Sequence, residues 1–77
     1  MRIIRRGIQS IEVETHGRTH RFPVEFEVDM SGVAVVSCAR ISEVVRGATL
    51  DEALARMTEM AREHVERSWT QVAVKGA

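Results

Sequence analysis

The 77-residue chain has one cysteine, one proline, two phenylalanines, one tryptophan and no tyrosine. With Cys38 alone, an internal disulfide is excluded, and no Cys/His cluster has the spacing of a zinc site. No run approaches the ~20 apolar residues of a membrane-spanning helix. The opening MRIIRRG carries charge with no apolar stretch behind it, so it does not read as a secretory signal. A reduced, cytoplasmic protein is the expectation. Glycine-rich phosphate loops, nucleotide fingerprints and catalytic-triad spacings are also missing, and the chain reads as a non-enzyme with no cofactor and no metal. A single domain of this length buries only ~60–65% of its unfolded surface, so self-association into a homo-oligomer is the expected source of extra stability.

The formal net charge is zero, but the charges are unevenly placed. Residues 1–21 hold five Arg against two Glu, whereas residues 22–77 hold six Lys/Arg against nine Asp/Glu. Arg2, Arg5, Arg6, Arg18 and Arg21 therefore make a basic end on an acidic body, a distribution that suits nucleic acid or another phosphate-rich partner. No aromatics interleave with them, and a solvated end is the plainer reading.

What is present is one clear helix. Thr49-Leu50-Asp51-Glu52 has the form of a capping box, with the Thr49 hydroxyl accepting from the Glu52 amide and the Glu52 carboxylate reaching back to the Thr49 amide. Leu50, Ala53, Leu54, Met57, Met60, Ala61, His64, Val65 and Trp69 then recur at spacings of three and four. The opposite face carries Glu52, Arg56, Glu59, Arg62, Glu63, Glu66 and Arg67, with Glu52–Arg56 and Glu63–Arg67 as favourable pairs. The helix is expected from about residue 50 to about residue 68.

Before it come strands. Ile11 and Val13 alternate with Ser10, Glu12 and Glu14 over Ile8 to Thr15; Gly7 leaves open whether Ile3 and Ile4 extend that strand. His16-Gly17-Arg18 reads as a turn. From Phe22 to Asp29, Phe22, Val24, Phe26 and Val28 form one face and Pro23, Glu25, Glu27 and Asp29 the other. Pro23 places that segment at an edge or at a strand start. Met30-Ser31-Gly32 closes a turn, and Val33 to Ala39 is apolar enough on both faces for a central strand. Ile41, Val44 and Val45 read as an extended or irregular link. Gln71 to Val74 reads as a short last strand, followed by a fraying tail. The expected fold is α+β, a small antiparallel sheet in the order β-β-β-α-β with one long amphipathic helix packed on one face. The Phe22/Val24/Phe26/Val28 face should meet the Leu54/Met57/Met60/Ala61/Val65 stripe.

Candidates for chemistry are few. Cys38, in a Val-rich strand, reads as a small buried hydrophobe rather than a nucleophile. His16 and His20 flank the first turn without a third metal ligand, and His64 has no adjacent group to support catalysis. Glu25, Glu27 and Asp29 follow one another at ~6.5–7 Å steps along their strand, too far to share one ion, and read as a solvated acidic face that suits a basic protein partner. Trp69, at the helix end, is a candidate interface residue.

The segment FPVEFEVDMSGVAVVS followed by GATLDEALARMTEMAREHVE resembles the HicB-like antitoxin domain. The matches are Phe22-Pro23-Val24, Gly32, Val33 to Val36, Gly47, Thr49, Glu52 and Ala53, over roughly residues 21 to 68. The family's Pro-Asp-Leu-Pro-Gly link falls on Cys38-Ala39-Arg40-Ile41-Ser42, which keeps none of those residues. A C-terminal DNA-binding module, common in that family, has no counterpart in these residues. The resemblance implies a reduced RNase H-like fold without catalytic acids, self-association, and binding of a small basic toxin ribonuclease. It divides a single domain, 1–77, into an extension with an extra strand (1–20), a family-like core (21–68) and a short last strand with tail (69–77). The partner surface is then expected at Glu25, Glu27, Asp29, Arg40, Glu43, Arg46 and Trp69. Two other readings stand beside it: a nucleic-acid-binding accessory protein using the five N-terminal arginines, and a domain that only assembles with itself.

Overall fold

A computed structural model describes the backbone of residues 3–75 and the side chains of residues 3–68. The elements run β1 (Ile3–Thr15), β2 (Arg18–Asp29), β3 (Ala34–Cys38), a 3-10 turn (Ala39–Ile41), β4 (Glu43–Gly47) and α1 (Leu50–Lys75). The four strands form one antiparallel sheet in chain order, and α1 packs across one face of it. The fold is α+β, with one long helix on a small sheet. The fourth strand, however, precedes the helix. The strand expected over Gln71–Val74 is helical backbone continuing α1, because neither Gly nor Pro interrupts the chain between Leu50 and Lys75. The link expected around Val44 and Val45 is β4, held by pairing Val36 with Val45 and Ala34 with Gly47.

The β1–β2 hairpin turns through His16 (φ 52°) and Gly17 (φ 73°). Two positive φ values in a two-residue loop match the right-handed twist of the flanking strands. Such a loop makes Thr15 and Arg18 a hydrogen-bonded pair, and alternation then puts Ser10 and Pro23 at a non-hydrogen-bonded site. Pro23 is accordingly mid-strand, neither at a strand start nor at the sheet edge as expected. The β2–β3 ladder begins only at Glu25, so neither neighbour needs the N–H that Pro23 lacks.

Strand β1 also runs straight through Gly7. A Cβ there would lie 2.8 Å from Cζ of Phe26, so the glycine leaves room for the ring that packs over it. Arg5 stacks on the same ring at 5.5 Å, as Arg40 stacks on Phe22 at 5.2 Å. Each contact contributes ~0.5–1 kcal/mol at an exposed site.

The core lies between the helix and one sheet face: Ile11 and Val13 of β1, Phe22, Val24 and Phe26 of β2, Ala34, Val36 and Cys38 of β3, then Ile41, Ala53, Met57 and Ala61. The expected β2 face is therefore in place, and Cys38 is a buried core side chain. Val28, Leu54, Met60 and Val65 sit at the margin, and the centre of the helix stripe is Ala53–Met57–Ala61. Two small residues flanking one long one let the helix approach the strands closely. The Thr15 hydroxyl is buried with no hydrogen-bond partner among the described residues, a local cost of ~1–3 kcal/mol.

The helix start departs slightly from a capping box. Thr49 Oγ1 accepts from the Glu52 amide at 3.1 Å as expected, but Glu52 Oε2 accepts from Ala48 N at 2.9 Å, one residue before the cap. Glu52 also pairs with Arg56, whose guanidinium donates to the Arg46 carbonyl at 2.8 Å and ties the helix to β4. At the other end, His16 and Glu66 meet at 3.1 Å, joining the hairpin turn to α1.

Asp29 organises the β2–β3 turn. One carboxylate oxygen accepts from Ser31 N (2.9 Å), Ser31 Oγ (2.6 Å) and Val33 N (3.1 Å). The Ser31 hydroxyl, first among these, holds the Asp29 carboxyl below its ordinary 3.8; burial opposes the shift and backbone N–H groups assist it. A depressed folded-state pKa means the stabilisation is complete above the unfolded value and is lost as pH falls through the lower folded one. Asp29→Asn is therefore expected to be less stable than the parent near neutral pH, with the gap closing in acid. Urea melts of both chains across that range check it; a gap independent of pH would remove the carboxylate from the account.

Candidate partner-binding face

The helix covers one face of the sheet, and strand parity decides what remains on the other. The register sets Ile8, Glu25, Ser37 and Val44 side by side in one row across all four strands. The adjacent row is Arg6, Glu27, Val35 and Arg46. Ile8 and Val44 are 76% and 67% exposed, the largest apolar exposures in the two rows. Around the first row lies a trough of about 530 Å³, lined in part by Ile8, Pro23, Glu25, Ser37, Glu43 and Val44. Its two charged residues are both carboxylates. Beside it, a second hollow of about 420 Å³ takes in Arg6, Glu27 and Val35.

Of the expected partner residues, Glu25 and Glu27 are on this face, Glu43 rims the trough and Arg46 ends the second row. Asp29 does not join them. It closes strand β2, and its side chain turns back into the β2–β3 turn, where its bonds leave it buried. Arg40 is held away from the trough, stacked on Phe22 and donating to the Arg21 carbonyl at 3.0 Å. Trp69 lies on α1 beyond the described side chains.

The basic end is dispersed. Arg5 points to the helix face over Phe26, Arg6 lies 4.0 Å from Glu27, Arg21 lies 2.8 Å from Glu12, and Arg18 stands at the hairpin turn. Arg2 lies outside the described residues. The placed arginines thus form no single patch that could follow a phosphate backbone. Among the described residues no group of three His, Cys, Asp or Glu is placed to hold a metal ion, and His64 is exposed on the helix. No described helix is long and apolar enough to cross a membrane.

Sequence reasoning did not single out Ile8 and Val44. The signal for Ile8 was its phase: Ile4 and Ile8 occupy even positions, opposite Ile11 and Val13. Comparison with family models, with curated proteins and with solved structures finds no match.

Proposed function

We propose that this chain is a non-enzymatic protein-interaction domain that binds a small basic protein on the open face of its sheet, in the manner of an antitoxin masking a toxin ribonuclease. The observation that carries this reading is the trough itself, exposed apolar surface from β1, β2 and β4 with Glu25 and Glu43 as its only charges. Apolar floor supplies affinity when covered, and the two carboxylates favour a cationic partner over an anionic one. Glu27 contributes less, since Arg6 already stands beside it. The resemblance to HicB-like antitoxins supplies the narrower identity of the partner.

Co-expression with the product of the adjacent gene, followed by light scattering, tests for a defined hetero-complex. Within such a complex, Glu25→Lys with Glu43→Lys is expected to slow association about tenfold and flatten its salt dependence. An unchanged rate and salt slope would show that the partner docks elsewhere.

A further inference from the structure

The sheet has two edges, and they are not equivalent. Strand β4 is five residues long, and its Arg46 carbonyl already accepts from Arg56. Strand β1 is thirteen residues long and, among the described residues, pairs only with β2. Because Thr15 and Arg18 are a hydrogen-bonded hairpin pair, alternation turns the N–H and C=O of Arg6, Ile8, Ser10 and Glu12 outward, away from β2. An edge of this length is a ready template for another strand.

The charges along β1 favour one particular strand. Its first half carries Arg5 and Arg6, its second half Glu12 and Glu14, so an antiparallel copy of itself sets basic against acidic. We propose that a second copy of this chain pairs antiparallel along β1, with Gln9 facing Gln9 of the other copy across a two-fold axis. In that register Arg6 lies opposite Glu12 of the second copy, and Ile8 opposite Ser10. Both charged residues are on the open face and largely solvent-exposed, with side-chain exposures of 76% for Arg6 and 56% for Glu12. Arg6 already neighbours Glu27 and Glu12 already neighbours Arg21. Pairing therefore builds two continuous rows, Glu27–Arg6–Glu12–Arg21, each crossing from one copy to the other with alternating sign. Opposite charges directly across strands stabilise, and like charges destabilise. The ladder between Arg6 and Glu12 adds roughly eight backbone hydrogen bonds and satisfies the open edge. This pairing is independent of the trough reading, since it uses the edge rather than the floor of the sheet.

Two variants read the register through charge. Arg6→Glu alone faces two like pairs, Glu opposite Glu; Glu12→Arg alone faces two more, Arg opposite Arg. Each is expected to weaken the dimer about tenfold or more relative to the parent chain. Mixed in equal amounts they restore both opposite-charge pairs, and sedimentation should recover a dimer made of one chain of each kind. That recovery also shows that both variants fold. Gln9→Cys gives an independent reading: Gln9 sits at a non-hydrogen-bonded site with ~4.5 Å between facing Cα atoms, within disulfide reach. Oxidation should link it into a covalent dimer, whereas the parent, whose Cys38 is buried, should not link. A parent chain that sediments as a monomer at every concentration, variants that dimerise separately as well as they do together, or efficient linking of Ile8→Cys but not Gln9→Cys would each overturn the proposal.

Discussion

Gly47→Ala is expected to destabilise the protein by about 3 kcal/mol or more, at the upper end of what overpacking costs. Gly47 is buried at the end of β4, directly beneath the first turn of α1. A Cβ there would lie 2.6 Å from Ala53 N and 3.0 Å from both Ala53 Cα and Thr49 O. All three atoms are backbone, so no rotamer change relieves the contact. The helix start must lift, and lifting weakens the Ala48–Glu52 bond, the Arg56 tie to the Arg46 carbonyl and the burial of Ala53. A chain of this size has total stability of ~4–12 kcal/mol, so the loss is a large share of it. Urea unfolding should show the midpoint falling by ~2–3 M at a slope near 1 kcal/mol/M. Gly17→Asn is the control: a Cβ there meets nothing within 4 Å, and Asn tolerates the positive φ of that turn. A midpoint for Gly47→Ala close to that of the control would mean the helix start can shift freely.

Met57→Ala should cost nearly as much, about 3 kcal/mol. Met57 is the largest of the fully buried side chains among the described residues. Its neighbours one turn away on the same stripe are Ala53 and Ala61, which have no length to spare for the vacated space. The helix backbone cannot sink further either, since Gly47 already holds it at contact distance. The cavity should persist, which is the circumstance that makes large-to-small changes expensive. Met60→Ala, at the margin of the core, should cost ~1 kcal/mol, because half-buried methylenes lose less on removal. Thermal melts of the two variants give the comparison; equal losses would place the core further along the helix than Met57.

The parts of the fold legible in the sequence are those whose cause is local. The alternation from Phe22 to Val28 survives because each side chain answers to the same buried face, and the helix start is written in Thr49 and Glu52, whose side chains accept from amides three and four residues away, those of Glu52 and Ala48. Strand β4 was not legible. Val44 and Val45 are consecutive apolar residues with no alternation, and only the pairing of Val45 with Val36 makes them a strand, with Val44 left facing solvent. Gln71 to Val74 misled for the opposite reason: β-branched residues suggest a strand, yet a helix already under way continues through them at little cost. The candidate face divides the same way. Its carboxylates at Glu25 and Glu27 follow from strand parity, whereas its apolar floor joins Ile8 to Val44 across four strands, a distance no local pattern encodes. Asp29 shows where parity stops. The strand ends there, and three donors from the following turn capture the side chain.

A sheet in which each strand lies beside its neighbour in sequence asks little of the chain as it is made. Every ladder closes through a short turn, so the hairpins can assemble in the order of their synthesis, without waiting for distant segments. The element that covers their apolar face comes last. Until Ala53, Met57 and Ala61 have left the ribosome, Val13, Val24 and Val36 have no cover, and the nascent sheet is most exposed to misassociation in that interval.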